Sequence, residues 1–332
     1  MQKRRFSSIL CPVIAVLLTV SVLLSGCGVL ENMPKPPKLT EAAPTEPAAV
    51  PAGTEQNGAY PGGMGDSTPA NAPAESAAAG IKEPEVGVTV TVERTEKEAF
   101  DPENGETRIL TFYWDSVTVH SDAYPEAAAR ITETMAGLED GWYTGSDEEG
   151  DLFYFGYNGM LAAAEDNYSF AKEYGAPMEF SNTRDVTVLR ADDECVVFLV
   201  YLYNFMGGAH GNYVEQAVCF DVRTGEQLTV AALSANEAAL RTRLLEEMMR
   251  LANEDKDGYY SERMALIQPE DYESALGALI REGTWYPAND AFHLFSNIYE
   301  LGPYAAGITD FPIPYGRLTD VLDARWIPKA SA

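Results

Sequence analysis

The stretch CVVFLVYLYNFMGGAHGNYVEQAVCFD, residues 195–221, decides how this chain folds, because it contains two strand-like segments joined by a glycine-rich turn. Residues 195–203 are almost uninterrupted apolar residues, mostly β-branched or aromatic, which is typical of a central strand covered on both faces. Residues 212–221 alternate between apolar and polar types, as a half-buried strand does. The stretch therefore predicts a β-hairpin at the centre of the fold.

The turn of this hairpin contains Gly207, Gly208 and Gly211 together with His210. Three glycines among five residues permit the positive φ angles that hairpin loops need. Two interpretations stay open at this point. The glycines could serve only to shape the backbone, with His210 pointing outward. Alternatively, the turn is a binding loop held by a rigid sheet, a common position for binding groups.

The segments on either side of the hairpin alternate between strand and helix patterns. Residues 86–120 resemble a second hairpin, with Asn104-Gly105 as its turn signal. Helical patterns cover residues 121–141, 160–174 and 234–255, and a strand pattern returns at 291–301. This order predicts an α+β fold of antiparallel sheets with helices packed on them.

The helix predicted over residues 234–255 has both a start signal and an apolar stripe. Ser234 and Glu237 have the spacing of a capping box. The residues expected to form the buried stripe recur at helical spacing: Leu240, Leu244, Met248 and Leu251.

The N-terminus has the pattern of a bacterial lipoprotein signal peptide. Lys3, Arg4 and Arg5 precede an apolar run that ends in Leu24-Ser25-Gly26-Cys27. This order resembles the lipobox, in which Cys27 would receive lipid and become the mature N-terminus. The alternative is an ordinary signal peptide with a coincidental cysteine. We expect residues 1–26 to be removed and the protein to lie, lipid-anchored, on the extracytoplasmic face of the cell membrane.

A compositionally biased segment follows the proposed lipid attachment site. Residues 27–82 are rich in Pro, Ala and Gly, and they contain few large apolar residues. Such a composition cannot bury enough surface to offset the entropy of ordering. We therefore predict a disordered tether that holds a folded region of about 250 residues away from the membrane.

The charge balance is strongly acidic. The chain has 51 Asp and Glu residues against 23 Lys and Arg, a net charge of −28. Residues 1–26 contribute three positive charges and no acidic residue, so the chain without them carries −31. This charge would repel nucleic acid and would attract cationic proteins or metal ions. A solvated acidic surface without a partner is the alternative interpretation.

No catalytic motif is evident in the sequence. The three histidines, His120, His210 and His293, have no metal-ligand spacing. No nucleophile elbow, phosphate-binding loop or dinucleotide-binding motif is present, and the many carboxylates hide any glycosidase pair. We predict no catalytic residue, no metal and no cofactor. A zinc site built from His210 and distant carboxylates is the alternative.

Two cysteines, Cys195 and Cys219, lie in the predicted hairpin. A hairpin centred on Gly207 would place them directly opposite each other, so that a disulfide is geometrically possible. A hairpin centred on Ala209 would not. Two buried free thiols are the preferred expectation, because cysteine is commonly just buried.

Three features together carry a resemblance to a known family. They are the aromatic strand that runs into Gly-Gly-Ala-His-Gly, the Thr224-Gly225 turn, and the proline-rich stretch of residues 299–318. This order resembles the C-terminal extracellular domain of RsiV-type anti-sigma factors, which also accompanies the peptidoglycan deacetylase PdaC and many Gram-positive lipoproteins. The resemblance implies an N-terminal companion domain over residues 83–177 and the RsiV-like domain over 178–328.

The resemblance implies an α+β recognition domain that faces the cell envelope, with lysozyme as the partner in the RsiV branch. The chain departs from that branch, since the sequence has neither a cytoplasmic sigma-binding segment nor a transmembrane helix of that kind. It also lacks the metal and aspartate motifs of the deacetylase. The candidate ligand-binding residues are Gly207, Gly208, His210, Gly211, Tyr304, Asp310 and Tyr315.

From these observations we predict a lipid-anchored binding protein of the cell envelope that recognises a cationic protein such as lysozyme, or peptidoglycan. Two alternatives remain. One is a cell-wall hydrolase or modifying enzyme that uses carboxylates or a metal, and the other is a structural envelope component.

The lipobox prediction can be tested directly. In cells fed a labelled fatty acid, the wild-type chain should incorporate label and sediment with membranes, whereas Cys27→Ala should do neither, because the thiol is the acylated group. Cys195→Ala serves as the matched control and should keep both properties. Label on the Cys27→Ala protein would contradict the assignment.

Overall fold

The computed structural model describes residues 87–145, 156–175, 178–255 and 257–329. The predicted signal peptide, Cys27 and the predicted tether lie outside the described residues. Among the residues described, no helix is both long and apolar enough to cross a membrane.

A five-stranded sheet forms the centre of the described region. Its strands follow one another across the sheet in chain order: β1 (Val88–Phe100), β2 (Arg108–Ser121), β3 (Phe180–Ala191), β4 (Cys195–Phe205) and β5 (Asn212–Asp221). Between β2 and β3 the chain forms two helices, α1 (Pro125–Thr144) and α2 (Tyr157–Tyr174). Both helices contact β2 and share one hydrophobic core with it, so they form a layer on one face of this sheet.

A second, smaller layer follows β5 in the chain. Its helices are α3 (Glu237–Glu254), α4 (Tyr259–Arg263) and α5 (Tyr272–Ala278). Its three short antiparallel strands are β6 (Trp285–Pro287), β7 (Phe292–Ser296) and β8 (Thr309–Ile313). The α+β fold class is thus confirmed.

The central sheet differs from the prediction in one respect, because β2 and β3 pair in parallel. All other strand pairs among the described residues are antiparallel. The chain passes through α1 and α2 between β2 and β3, and such a long crossover lets it re-enter the sheet in the same direction. A helical connection of this kind was visible in the sequence, but its consequence for strand direction was missed.

Strand β4 is covered on both faces, as its apolar composition predicts. Val196, Phe198 and Val200 belong to a core that includes residues of α1 and α2. Cys195 and Val197 point the other way, into a second core formed with α3 and the small sheet. Because side chains alternate along a strand, a single apolar run supplies both cores.

The β4–β5 hairpin pairs Tyr203 with Tyr213 and Cys195 with Asp221, so it is centred on Gly208. This register lies between the two that the sequence left open. Cys219 faces Val197 rather than Cys195. Both cysteines are buried free thiols, as preferred. Burial is also the main reason that the pKa of the Cys195 thiol is raised to about 12.

Helix α3 buries the predicted stripe in part and starts differently from the prediction. Leu240, Leu244 and Met248 are fully buried. The capping box is wrong, because the N-cap is Asn236, whose side chain accepts the Ala239 amide hydrogen. Asn is as good an N-cap as Ser, and it lies one residue before the first helical turn.

The predicted boundary between residues 177 and 178 falls just before β3. Strands from both sides of it, β1–β2 and β3–β5, pair within the one five-stranded sheet. The division into two evolutionary domains stays a prediction.

We expect Phe198→Ala to lower the free energy of unfolding by about 3–5 kcal/mol, because it removes a fully buried ring from the central strand. Since β4 belongs to both cores, the loss should appear in one cooperative urea transition, measured by circular dichroism. Leu266→Ala, whose side chain is 58% exposed, is the control and should change the value by less than about 0.5 kcal/mol. Two separate transitions, only one of them shifted, would contradict this account.

Candidate functional site

The glycines of the β4–β5 turn have two structural roles. Gly207 and Gly208 have φ angles of +95° and +98°, a region that favours glycine. Gly211 allows a close approach, because a Cβ there would lie 2.5 Å from ring atoms of Tyr203. The turn therefore needs these glycines for its shape, which agrees with the interpretation that they serve to shape the backbone.

His210, in the same turn, does not simply point into solvent. Its ring stacks on that of Tyr304, with centroids 3.7 Å apart and planes 20° from parallel. The Nδ1 of His210 lies 2.9 Å from the carbonyl oxygen of Gly211, so this nitrogen donates the hydrogen bond. Two of the predicted site residues, 94 positions apart in the chain, are thus in direct contact.

Further tyrosines extend this contact into a continuous aromatic patch. Tyr304 meets Tyr213 edge to face at 5.7 Å and lies 5.9 Å from Tyr299. Tyr213 in turn lies 5.7 Å from Tyr201 on β4. We call this patch the tyrosine surface: Tyr201, His210, Tyr213, Tyr299 and Tyr304. Burial, together with the neighbouring phenols, raises the pKa of Tyr201, so its hydroxyl is neutral at physiological pH.

A loop after β7 brings Tyr299 and Tyr304 to the sheet. The side chain of Asn297 forms two hydrogen bonds with the backbone of Glu215 on β5, accepting at 2.7 Å and donating at 3.1 Å. The carboxylate of Glu300 accepts a 2.8 Å hydrogen bond from the backbone N–H of Asn297 and also forms an ion pair with Arg281. These contacts fix the loop against the strand.

Tyr299 has an unusual backbone within this loop. Its φ angle is +66°, and among the described residues it is the only non-glycine residue whose φ lies well within the left-handed region. Its side chain is 54% exposed. A bulky residue rarely adopts this conformation unless its surroundings hold it there, and such residues concentrate at binding sites.

Carboxylates flank the tyrosine surface. Asp185, Tyr201 and Glu215 lie side by side across β3, β4 and β5. Arg94, on the same face, already pairs with Asp115 at 2.8 Å and also contacts Asp185. The surface therefore combines aromatic rings with negative charge.

Glu215 is the most perturbed carboxyl of this group. Burial, and then the charge of Asp310, raises the pKa of Glu215 to about 6. Asp310 itself accepts a 3.0 Å hydrogen bond from Nδ1 of His293. Burial alone would lower the His293 pKa, but its hydrogen bonds and charge interactions with Asp310 and Asp290 outweigh burial and raise it.

Asp310 also lines a cavity of about 540 Å³ on the side of the small sheet. Tyr259 and Tyr260 line the same cavity, and both contact the Asp310 backbone. Tyr315, the last of the predicted residues, lies elsewhere: its hydroxyl donates to the Ala288 carbonyl and its ring packs against the second core. Among the predicted site residues, His210 and Tyr304 are thus in direct contact, whereas Asp310 acts on Glu215 through its charge.

No three His, Cys, Asp or Glu side chains in the described ranges are grouped so that they could hold a metal ion. The aromatic residues of the stretch 151–155 lie outside the described residues. Tyr157, which follows it, stacks on Tyr143 at 5.6 Å and packs against the first core.

One family model matches a part of the chain. Residues 230–316 are similar to the family described as "Protein of unknown function (DUF3298)". This range contains Tyr299 and Tyr304 but not His210. No curated protein sequence matches the chain.

Two solved structures of that family are similar to this chain. A DUF3298 family protein from Pseudomonas aeruginosa PAO1 is 22% identical, over 73% of this chain and 98% of its own, with a TM-score of 0.44. A family member from Bacteroides fragilis NCTC 9343 is 15% identical, over 73% of this chain and 96% of its own, with a TM-score of 0.51. The second likeness shows a shared fold.

The raised pKa of Glu215 has a measurable effect on stability. Because the folded state holds this proton more tightly than the unfolded chain, its contribution to stability, about 2 kcal/mol in full, is lost progressively as pH rises through the range between about 4.5 and about 6. Glu215→Gln cannot ionise and should lose this part of the pH dependence. Urea unfolding of both proteins between pH 4.5 and 6.5 measures the difference.

His293 stays protonated through most of that window, so it does not mask the effect. Its own contribution is lost at higher pH, as the ring deprotonates through its raised pKa. Glu133→Gln, on the exposed side of α1, is the matched control and should keep the wild-type slope. Equal slopes for wild type and Glu215→Gln would show that Glu215 is not perturbed.

Proposed function

We propose that this chain is a lipid-anchored, extracytoplasmic binding protein of the bacterial cell envelope that uses the tyrosine surface to recognise a cationic protein such as a lysozyme. The observation that carries the proposal is the stacking of His210 on Tyr304 within an aromatic patch that is flanked by carboxylates. The segment similar to the DUF3298 family contributes two of the five residues of that patch, and the β4–β5 hairpin contributes the other three.

The composition of the surface favours protein recognition. Tyrosine supplies a large contact area and a hydrogen-bonding hydroxyl at a small cost in side-chain entropy, and it is enriched at interaction hot spots. The neighbouring carboxylates, Asp185 and Glu215, would meet basic side chains of a partner. The net charge of −28 would speed the encounter with a cationic partner through long-range attraction.

The lipobox and tether support the location. Acylation at Cys27 would hold the chain at the membrane, and residues 27–82 would separate the folded region from it. Peptidoglycan is the second ligand of interest, since aromatic side chains also stack on sugar rings and the same location would bring it within reach.

A cell-wall hydrolase remains the second candidate function, and one specific observation favours it. A carboxyl group whose pKa is raised towards neutrality, beside a second carboxylate, is a common arrangement for general acid catalysis. Glu215 and Asp310 form such a pair. In that case Glu215 would hold the proton donated to the leaving group, and Asp310 would be the neighbouring carboxyl group, fixed by its hydrogen bond with His293.

A binding experiment distinguishes the binding protein from the hydrolase. It measures the affinity of the chain without residues 1–27 for a basic lysozyme and for purified peptidoglycan. We expect salt-sensitive lysozyme binding that Tyr304→Ala weakens about 10- to 30-fold, since this ring is at the centre of the patch. Isothermal titration calorimetry at two salt concentrations gives the affinities.

Phe100→Ala is the matched control, because it removes a partly exposed ring at the far edge of the sheet, and it should leave binding unchanged. Equal losses of lysozyme affinity in both variants would show that the tyrosine surface is not the binding site. Binding to neither ligand, together with glycan turnover that Glu215→Gln abolishes, would favour the hydrolase instead.

A further inference from the structure

Strand β1 is an open edge of the central sheet. Among the described residues it pairs only with β2, and most of its 13 residues are exposed. The opposite edge is covered, since the Ala217 amide on β5 donates to the Gly283 carbonyl at 2.8 Å and Asn297 binds Glu215. A long open edge presents a row of unpaired backbone groups that can pair with another strand.

The charges in the middle of β1 are arranged for pairing with a copy of itself. The order is Glu93-Arg94-Thr95-Glu96-Lys97, in which the signs reverse about Thr95. When two copies align antiparallel with Thr95 facing Thr95, Glu93 faces Lys97 and Arg94 faces Glu96. Each pair occurs twice because of the symmetry, which gives four opposite-charge contacts.

This alignment is distinguished from its neighbours. A slip of one residue in one direction puts Glu93 opposite Glu96, and a slip in the other direction puts Arg94 opposite Lys97. Like charges directly opposite each other are destabilising across strands. The sequence therefore favours one register and opposes those on either side.

The side chains of β1 also have suitable partners within the chain. Arg94 is fixed by Asp115 and Asp185 on one face, and Lys97 lies 4.8 Å from the ring centre of Tyr143 on the other. The side-chain carboxylates of Glu93 and Glu96 make no hydrogen bond or ion pair with any described residue. The cations are thus held in place, while the carboxylates are free to pair with a second copy.

We propose that two copies of this chain pair through β1 in the Thr95-centred register and form a continuous ten-stranded sheet. The twofold axis runs perpendicular to the sheet, so residues of one face stay on that face in both copies. The two tyrosine surfaces consequently lie on the same side of the dimer. The proposal depends on the edge and its charges alone, and it holds whether or not that surface binds a cationic protein.

Charge exchange tests the register. Sedimentation equilibrium of residues 28–332 should show a reversible dimer, and Glu93→Lys should weaken it about tenfold or more, because two attractive pairs become repulsive. The double variant with Lys97→Glu restores opposite charges at the same positions and should recover most of the affinity. Glu106→Lys, in the β1–β2 turn, makes the same change in net charge away from the paired segment and should have no such effect.

Cross-linking gives a second, independent measurement. Under mild oxidation, Thr95→Cys should form a disulfide-linked dimer, because the two cysteines face each other at the symmetry axis. Thr91→Cys is the matched control on the same face, and its symmetry mates lie roughly 27 Å apart in this register. The native Cys195 and Cys219 are buried and should not react.

A monomer at all concentrations would overturn the proposal, and so would pairing of β1 with residues 28–86 of its own chain, which would leave the protein monomeric. A dimer whose affinity is unchanged by Glu93→Lys and that forms no disulfide in the Thr95→Cys variant would also overturn it. Another surface would then hold the two copies together.

Discussion

The alternation of side chains along β4 is the constraint on which the rest of this structure depends. The strand lies between two cores and supplies both, with Phe198 on one side and Val197 on the other. The α1–α2 layer belongs to one core, and α3 with the small sheet belongs to the other. The central sheet lies between the two cores and contributes residues to both. A shift of β4 by one residue would exchange its two faces and move every side chain into the opposite core.

The elements themselves could be predicted well from local patterns. The apolar run at 195–203, the alternation at 212–221 and the Asn104-Gly105 turn each have a local physical cause, and each is present as a strand or hairpin. The parallel pairing of β2 with β3 and the position of the hairpin centre at Gly208 depend instead on how distant segments pack. Neither has a signal within a window of a few residues.

The candidate site could be predicted only in part for the same reason. The sequence predicts both His210 and Tyr304 as site residues. It does not predict their contact, because that contact depends on Asn297, which fixes the loop of Tyr304 against β5. Tyr201 and Tyr213 could be predicted as part of the site only once the hairpin register was known, because that register places them on one face of the sheet. Glu215 gave no signal in the sequence, since its raised pKa arises from burial and from Asp310, almost a hundred residues away.

The docking of Asn297 onto the Glu215 backbone has a consequence for how the molecule meets a ligand. Because the loop is fastened to a strand whose other end is embedded in the protein interior at Cys219, its aromatic rings are already arranged before any encounter. Little freedom of motion would then be lost on complex formation, so shape matching would govern selectivity more than adaptation does. Partners that differ by a single bulky group at the contact would be distinguished mainly by their dissociation rates.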